Sequence, residues 1–143
     1  MTQQLWSRNI VLAFTGVVFM MTAGVSGTAT AAVTETAVVA TVAADYSSAA
    51  HSVISVAPIG GPRTVQNDLL PTLTSDITMS AYQNVFYRIE RFQADNITKF
   101  DISAPDTPIW QFSTLDPGDT VSSNPYGLLF VSDQKAYLLR YGK

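Results

Sequence analysis

The chain has 143 residues, enough for about one domain. Charged residues make up 13%, about half the usual ~25%, and hydrophobic residues an ordinary 47%, which excludes a disordered polyelectrolyte. A net charge of −3 without any cluster of Lys and Arg argues against nucleic-acid partners, and the lack of cysteine excludes disulfides, thiolate metal sites and thiol nucleophiles.

The first element in chain order is an export leader. Residues 1–9 carry one cation, Arg8, and Ile10 to Val25 is an uncharged apolar run of 16 residues. Small residues follow, and Ala29-Thr30-Ala31 meets the A-x-A requirement of a signal peptidase, so 1–31 is expected to be a helical signal peptide cut after Ala31 or Ala32. A retained membrane anchor is the competing reading. The run is shorter than the ~20 residues of a spanning helix and is diluted by Gly16 and Gly24.

Residues 32–50 are almost all Ala, Val, Thr and Ser, broken by Glu35, Asp45 and Tyr46. Short β-branched residues permit a strand, but nothing bulky is there to anchor one, and a loose low-complexity lead-in is expected. From His51 to Lys143 short apolar or alternating runs are cut by turn residues. The strands read this way are 52–57, 64–69, 77–82, 85–92, 97–102, 109–113, 128–131 and 136–141. Turns at 58–62, 83–84, 93–96, 104–108, 116–119 and 133–134 separate them, with Pro and Gly supplying turn dihedrals and removing ladder donors. The part after residue 50 is thus expected to be all-β.

A repeat narrows the architecture. At an offset of 51 residues, Ile77 meets Leu128, Met79 meets Phe130, Gln83 meets Gln134 and Phe86 meets Tyr137. Each copy runs strand, tight turn, aromatic-rich strand. The first copy continues through Asn96–Ile102 and Ile109–Phe112, which makes four antiparallel strands, the content of one propeller blade. Tyr137-Leu-Leu-Arg-Tyr-Gly142 resembles the Tyr-Val-Thr-Asn-Tyr-Gly signature of bacterial secreted β-propeller repeats. Arg88-Ile-Glu-Arg-Phe-Gln93 looks like a worn copy, with Asp101 in the motif's Asp position and Arg88 and Gln93 where the motif has Tyr and Gly. The resemblance covers about residues 77–143. It implies an incomplete propeller over 51–143, with 52–57 and 64–69 as outer strands of a first blade. A complete small sandwich with a chance repeat is the alternative.

Candidate chemistry is sparse. His51 is the single histidine, with Asp45 and Ser52 close in sequence, but no Gly-x-Ser-x-Gly elbow exists and a solvated loop histidine is expected. Asp116-Pro-Gly-Asp119 lacks the Asp alternation of a calcium loop and reads as a type II turn. Asn96-Ile-Thr98 forms a glycosylation sequon but is read as a hairpin turn. Trp110 and Phe112 are read as core packing rather than a stacking platform, and Arg88, Glu90 and Arg91 as a solvated or blade-edge pairing. No catalytic residue, metal site or cofactor is assigned, and the binding residues stay undetermined. The function expected is an exported, secreted or periplasmic binding or scaffold protein, with no enzymatic activity of its own. The membrane is met only transiently, through the leader. The alternatives are the opening of a lactonase-like or quinoprotein-like propeller enzyme, or a structural protein tethered by its leader.

Overall fold

The computed structural model describes residues 35–57 and 60–142. The leader, its cleavage site and the turn residues Pro58 and Ile59 lie outside them. Nine strands run in the order β1 (Thr36–Val42), β2 (Ala49–Ser55), β3 (Val65–Thr72), β4 (Ile77–Tyr82), β5 (Val85–Glu90), β6 (Asn96–Asp101), β7 (Ala104–Ser113), β8 (Pro125–Ser132) and β9 (Lys135–Arg140) among the described residues. They build three antiparallel sheets, each in sequence order: β1-β2-β3, β4-β5-β6-β7 and β8-β9. The described chain is all-β, with no helix.

Where composition favours a loose lead-in, the structure instead places β1, paired with β2 from Thr36↔Ser55 to Val42↔Ala49. Its own side chains are small, but the partners that bury it are not. Val38 and its register partner Val53 pack with Met79, Phe86 and Phe100 of the second sheet. Tertiary contact supplies what local bulk lacks, at roughly 1.5–3 kcal/mol for each large side chain buried. The first sheet therefore has three strands from this stretch, not the two expected from residues 52–57 and 64–69.

Alternation along β5 divides the second sheet into two apolar sides. Phe86, with Met79 and Phe100, meets the first sheet; Phe86 and Phe100 stack with centroids 4.9 Å apart. Tyr87 and Ile89, with Ile97, meet Leu128, Phe130 and Leu138 of the third sheet. Phe130 stacks on Tyr82 at 4.9 Å and tilts against Tyr87 at 5.1 Å. The second sheet is thus the middle layer of a stack laid down in sequence order.

Tyr82 pairs with Val85, and Ser132 with Lys135, so the two copies of the strand–turn–strand unit superpose at a 50-residue offset at the turn. Sequence matching alone suggests 51. A slip of one residue changes the face of every side chain. Tyr137 thereby takes the place of Tyr87 rather than Phe86, and Leu139 that of Ile89. Tyr87 and Ile89 are 8% and 0% exposed, but Tyr137 and Leu139 are 56% and 63% exposed. The same positions are covered in the middle sheet and open in the third.

The two motif glycine positions meet different demands. Gln93 holds φ at 68°, the left-handed region that glycine adopts most readily. At Gly142 an added methyl would run into the Ser122 carbonyl. Asp116–Asp119 is the expected type II turn: Gly118 has φ 94°, and the Asp119 N–H donates to the Asp116 carbonyl at 3.0 Å.

Candidate functional site

The most unusual chemistry lies between the first and second sheets, where polar side chains interrupt the apolar contact. His51 sits on the middle strand of the first sheet, fully buried, with its ring 5.1 Å from Phe86 and 4.8 Å from Phe100 between centroids. Its Nε2–H donates to the Pro105 carbonyl at 2.7 Å, and its Nδ1 faces Arg88 Nη1 at 3.4 Å. That pairing assigns a neutral imidazole, proton on Nε2. Burial lowers the His51 pKa below its ordinary 6.5; the Pro105 hydrogen bond opposes the shift and the Arg88 charge adds to it. The expected solvated loop histidine is therefore a core residue.

Arg88 and Glu90 are two apart on β5 and so share a side of the sheet, the side that carries Phe86. They too are buried rather than solvated, and pair at 2.9 Å. Arg88 Nη1 also donates to the Leu70 carbonyl at 2.6 Å, and its guanidinium lies 5.7 Å from the Phe100 centroid. Burial lowers the Arg88 pKa from its usual value, while Glu90 raises it through charge and a hydrogen bond. The chain of contacts continues outward: Asn96 Nδ2 donates to Glu90 at 3.1 Å, and Gln111 Nε2 donates to Asn96 at 2.9 Å. Arg88 Nε and Thr98 Oγ1, on register partners, are buried with no hydrogen bond among the described residues.

Chemically this is a fixed lock. Both His51 nitrogens are engaged, Arg88 is a permanent cation and Glu90 is its counter-ion. Such a pair adds little net stability, because desolvation offsets the attraction; the contacts that cross from the second sheet to the first are those of Arg88 with the Leu70 carbonyl and His51.

A second polar knot fixes the crossover to the third sheet. Asp95, buried at φ 51°, accepts from Ser122 Oγ at 2.9 Å, Ser123 Oγ at 3.1 Å and the Asn124 N–H at 2.9 Å. Beside it Arg91 pairs with Asp76 at 3.1 Å and covers the Tyr126 ring at 4.5 Å.

The other candidates fall apart spatially or chemically. Asp45 is occupied by the Ser47 N–H and hydroxyl, which lower its pKa, while the Ser52 hydroxyl accepts from the Asp68 N–H. They form no triad with His51, whose nitrogens have other partners. Asp116 pairs with Arg140 at 3.5 Å and Asp119 accepts the Asp116 N–H. Asn96–Thr98 lies on β6, not in a turn; the turn is the preceding segment 91–95. Asp101, in the motif's Asp position, accepts from the Ser103 N–H and hydroxyl, which lower its pKa and shape the β6–β7 turn. Trp110 is half-buried against Tyr87, in keeping with core packing, whereas Phe112 is 64% exposed.

Sequence alone does not reveal the polar lock, because a charged pair on a strand is ordinarily solvated. The signal was its phase: Arg88 and Glu90 share the side of the strand that carries Phe86. No protein-family model, curated protein or solved structure matches the chain.

Proposed function

We propose that the chain supplies consecutive blades of an exported bacterial β-propeller-repeat protein that binds or scaffolds a partner rather than carrying out catalysis. Three features support it: antiparallel sheets stacked in sequence order, the β4–β5 unit recurring as β8–β9, and the resemblance of Tyr137–Gly142 to the secreted repeat signature. The observation that carries it is the contrast between Tyr87 and Ile89, sealed by the next sheet, and their counterparts Tyr137 and Leu139, which stand open. A repeating stack leaves that contrast at its growing face, because each unit buries its apolar side only against a neighbour.

Export is tested by fusing residues 1–33 to alkaline phosphatase, which is active only outside the cytoplasm, and by mass spectrometry of the accumulated chain. Phosphatase activity and a mature N-terminus at Ala32 or Val33 are expected. An intact Met1 with no activity would overturn the exported role. The repeat reading is tested by substitution: Leu138→Ser, which strips the third sheet of a contact with the second, is expected to free β8 and β9 in hydrogen exchange while leaving β4–β7 protected, and loss of protection in all sheets at once would overturn it.

A further inference from the structure

The chain's one histidine stands at the seam between the first and second sheets. On its own sheet His51 lies between its register partners, Ala40 of β1 and Leu69 of β3. Across the seam it meets the Phe86 and Phe100 rings, the Pro105 carbonyl and Arg88, which is paired with Glu90. The other charges on the strands around it are engaged elsewhere. Asp68 accepts from the Thr41 hydroxyl, Lys99 lies over the Tyr87 ring, Asp101 accepts from Ser103 and Asp106 from Thr107. Arg88 and Glu90 are therefore the charged groups on those strands that face the imidazole.

Such surroundings suit the neutral ring alone. Its Nε2–H already donates to Pro105, and its Nδ1 accepts from Arg88 Nη1. A proton on Nδ1 would set donor against donor and place a second cation 3.4 Å from the guanidinium, in a buried seam with little water to screen them. Arg88 is not free to retreat, because the Leu70 carbonyl holds its Nη1 at 2.6 Å and Glu90 holds its Nη2 at 2.9 Å. Once the two sheets part, the ring charges in water without opposition. The seam between the second and third sheets has no histidine to titrate near neutrality.

We infer that His51 makes the first seam an acid-sensitive latch: one proton taken from solvent at Nδ1 releases the first sheet from the second, while the second and third stay joined. The latch has two states, closed with a neutral ring and open with a charged one. A free imidazole takes its proton near 6.5, and burial holds the closed form below that, so acid favours the open form. A fall from pH 7.5 to 5.0 then favours opening by at most about thirtyfold, the protonation ratio of a free imidazole at pH 5.0. Opening bares Phe86 and Phe100, the large rings of that seam. The latch depends only on the packing around His51, whatever the chain binds.

The test is hydrogen exchange on the full 143-residue chain at pH 7.5, 6.0 and 5.0, each rate divided by the intrinsic rate at that pH. Protection in β1–β3 should fall by about tenfold to thirtyfold across that range, while β4–β6, β8 and β9 change by less than about twofold. In His51→Gln, which keeps a donor for the Pro105 carbonyl and cannot take up the proton, the fall should vanish. Carbon-13 NMR of the labelled ring needs no variant, because the chain has one histidine. It should show a neutral resonance from the closed form and a separate charged one from the open form, the second growing as pH falls. Unchanged protection in β1–β3, an equal loss in all three sheets, or an acid response that survives in His51→Gln would overturn the latch. So would a charged ring within the protected, closed form. Should His51→Gln fail to fold, the wild-type exchange and the ring resonances decide.

Discussion

Removing one member of the Arg88–Glu90 pair should cost about as much as removing both together. Both side chains are more than nine-tenths buried, so solvent screens little of their interaction. Arg88→Met leaves the Glu90 carboxylate buried with only the neutral Asn96 amide among its contacts described above. Glu90→Gln keeps the shape and the Asn96 contact but leaves a buried guanidinium without its counter-ion. Uncompensated buried charge costs about 3–5 kcal/mol, so each single change is expected to lose about 3 kcal/mol. Arg88→Met combined with Glu90→Leu removes both charges at once. It should lose about 3 kcal/mol rather than about 6, the remainder reflecting the lost donor to the Leu70 carbonyl and the lost partner of His51 Nδ1. Urea unfolding followed by tryptophan fluorescence reads this directly. With a slope of about 1–3 kcal/mol per molar urea, 3 kcal/mol moves the midpoint by about 1–3 M. Additive losses in the double variant would refute the argument, since they would mean that the two charges do not sense each other.

Phe100→Ala should cost about 3–5 kcal/mol, because it empties a site enclosed by Phe86, His51 and Arg88, whereas Phe100→Leu should cost less than about 1.5 kcal/mol; equal losses in urea melts would contradict the packed interface. The depressed pKa of His51 means that the unfolded state binds its proton first. Its contribution is full above 6.5 and is lost as pH falls from there through the folded value, a slope that His51→Gln should flatten in unfolding measured across pH. Asp95→Ala should lose about 3 kcal/mol, from charge-assisted hydrogen bonds and from forcing alanine into a left-handed conformation; Asp95→Asn, which tolerates that conformation and keeps an acceptor, should lose about half as much, as calorimetry would show.

Much of the fold was legible because alternation and turn residues act locally. The run 77–82 coincides with β4, and the read turns at 83–84 and 133–134 are where the chain reverses. β1 was not legible: Ala37, Val38 and Ala40 are small, and the rings that bury that strand lie far along the chain. Residues 104–108 read as a loop because Pro105 and Pro108 cannot donate to a ladder, yet they begin β7. That is tolerated because β7 is an edge strand, and its pairing with β6 is irregular just there. The polar lock needed the third dimension most. Nothing local to His51 announces Arg88, and nothing local to Arg88 announces the Leu70 carbonyl.

The order of the stack also sets a timetable. A ribosome makes about 5–20 residues per second, so Val38 and Val53 emerge seconds before Phe86 and Phe100 exist to cover them. Tyr87 and Ile89 then wait in turn for Leu128 and Phe130. Each newly made layer passes through an interval in which its sticky side faces the cell and nothing else. Yield should therefore depend on the pace of synthesis and on whatever shields the nascent chain during those seconds, as much as on the strength of the finished contacts.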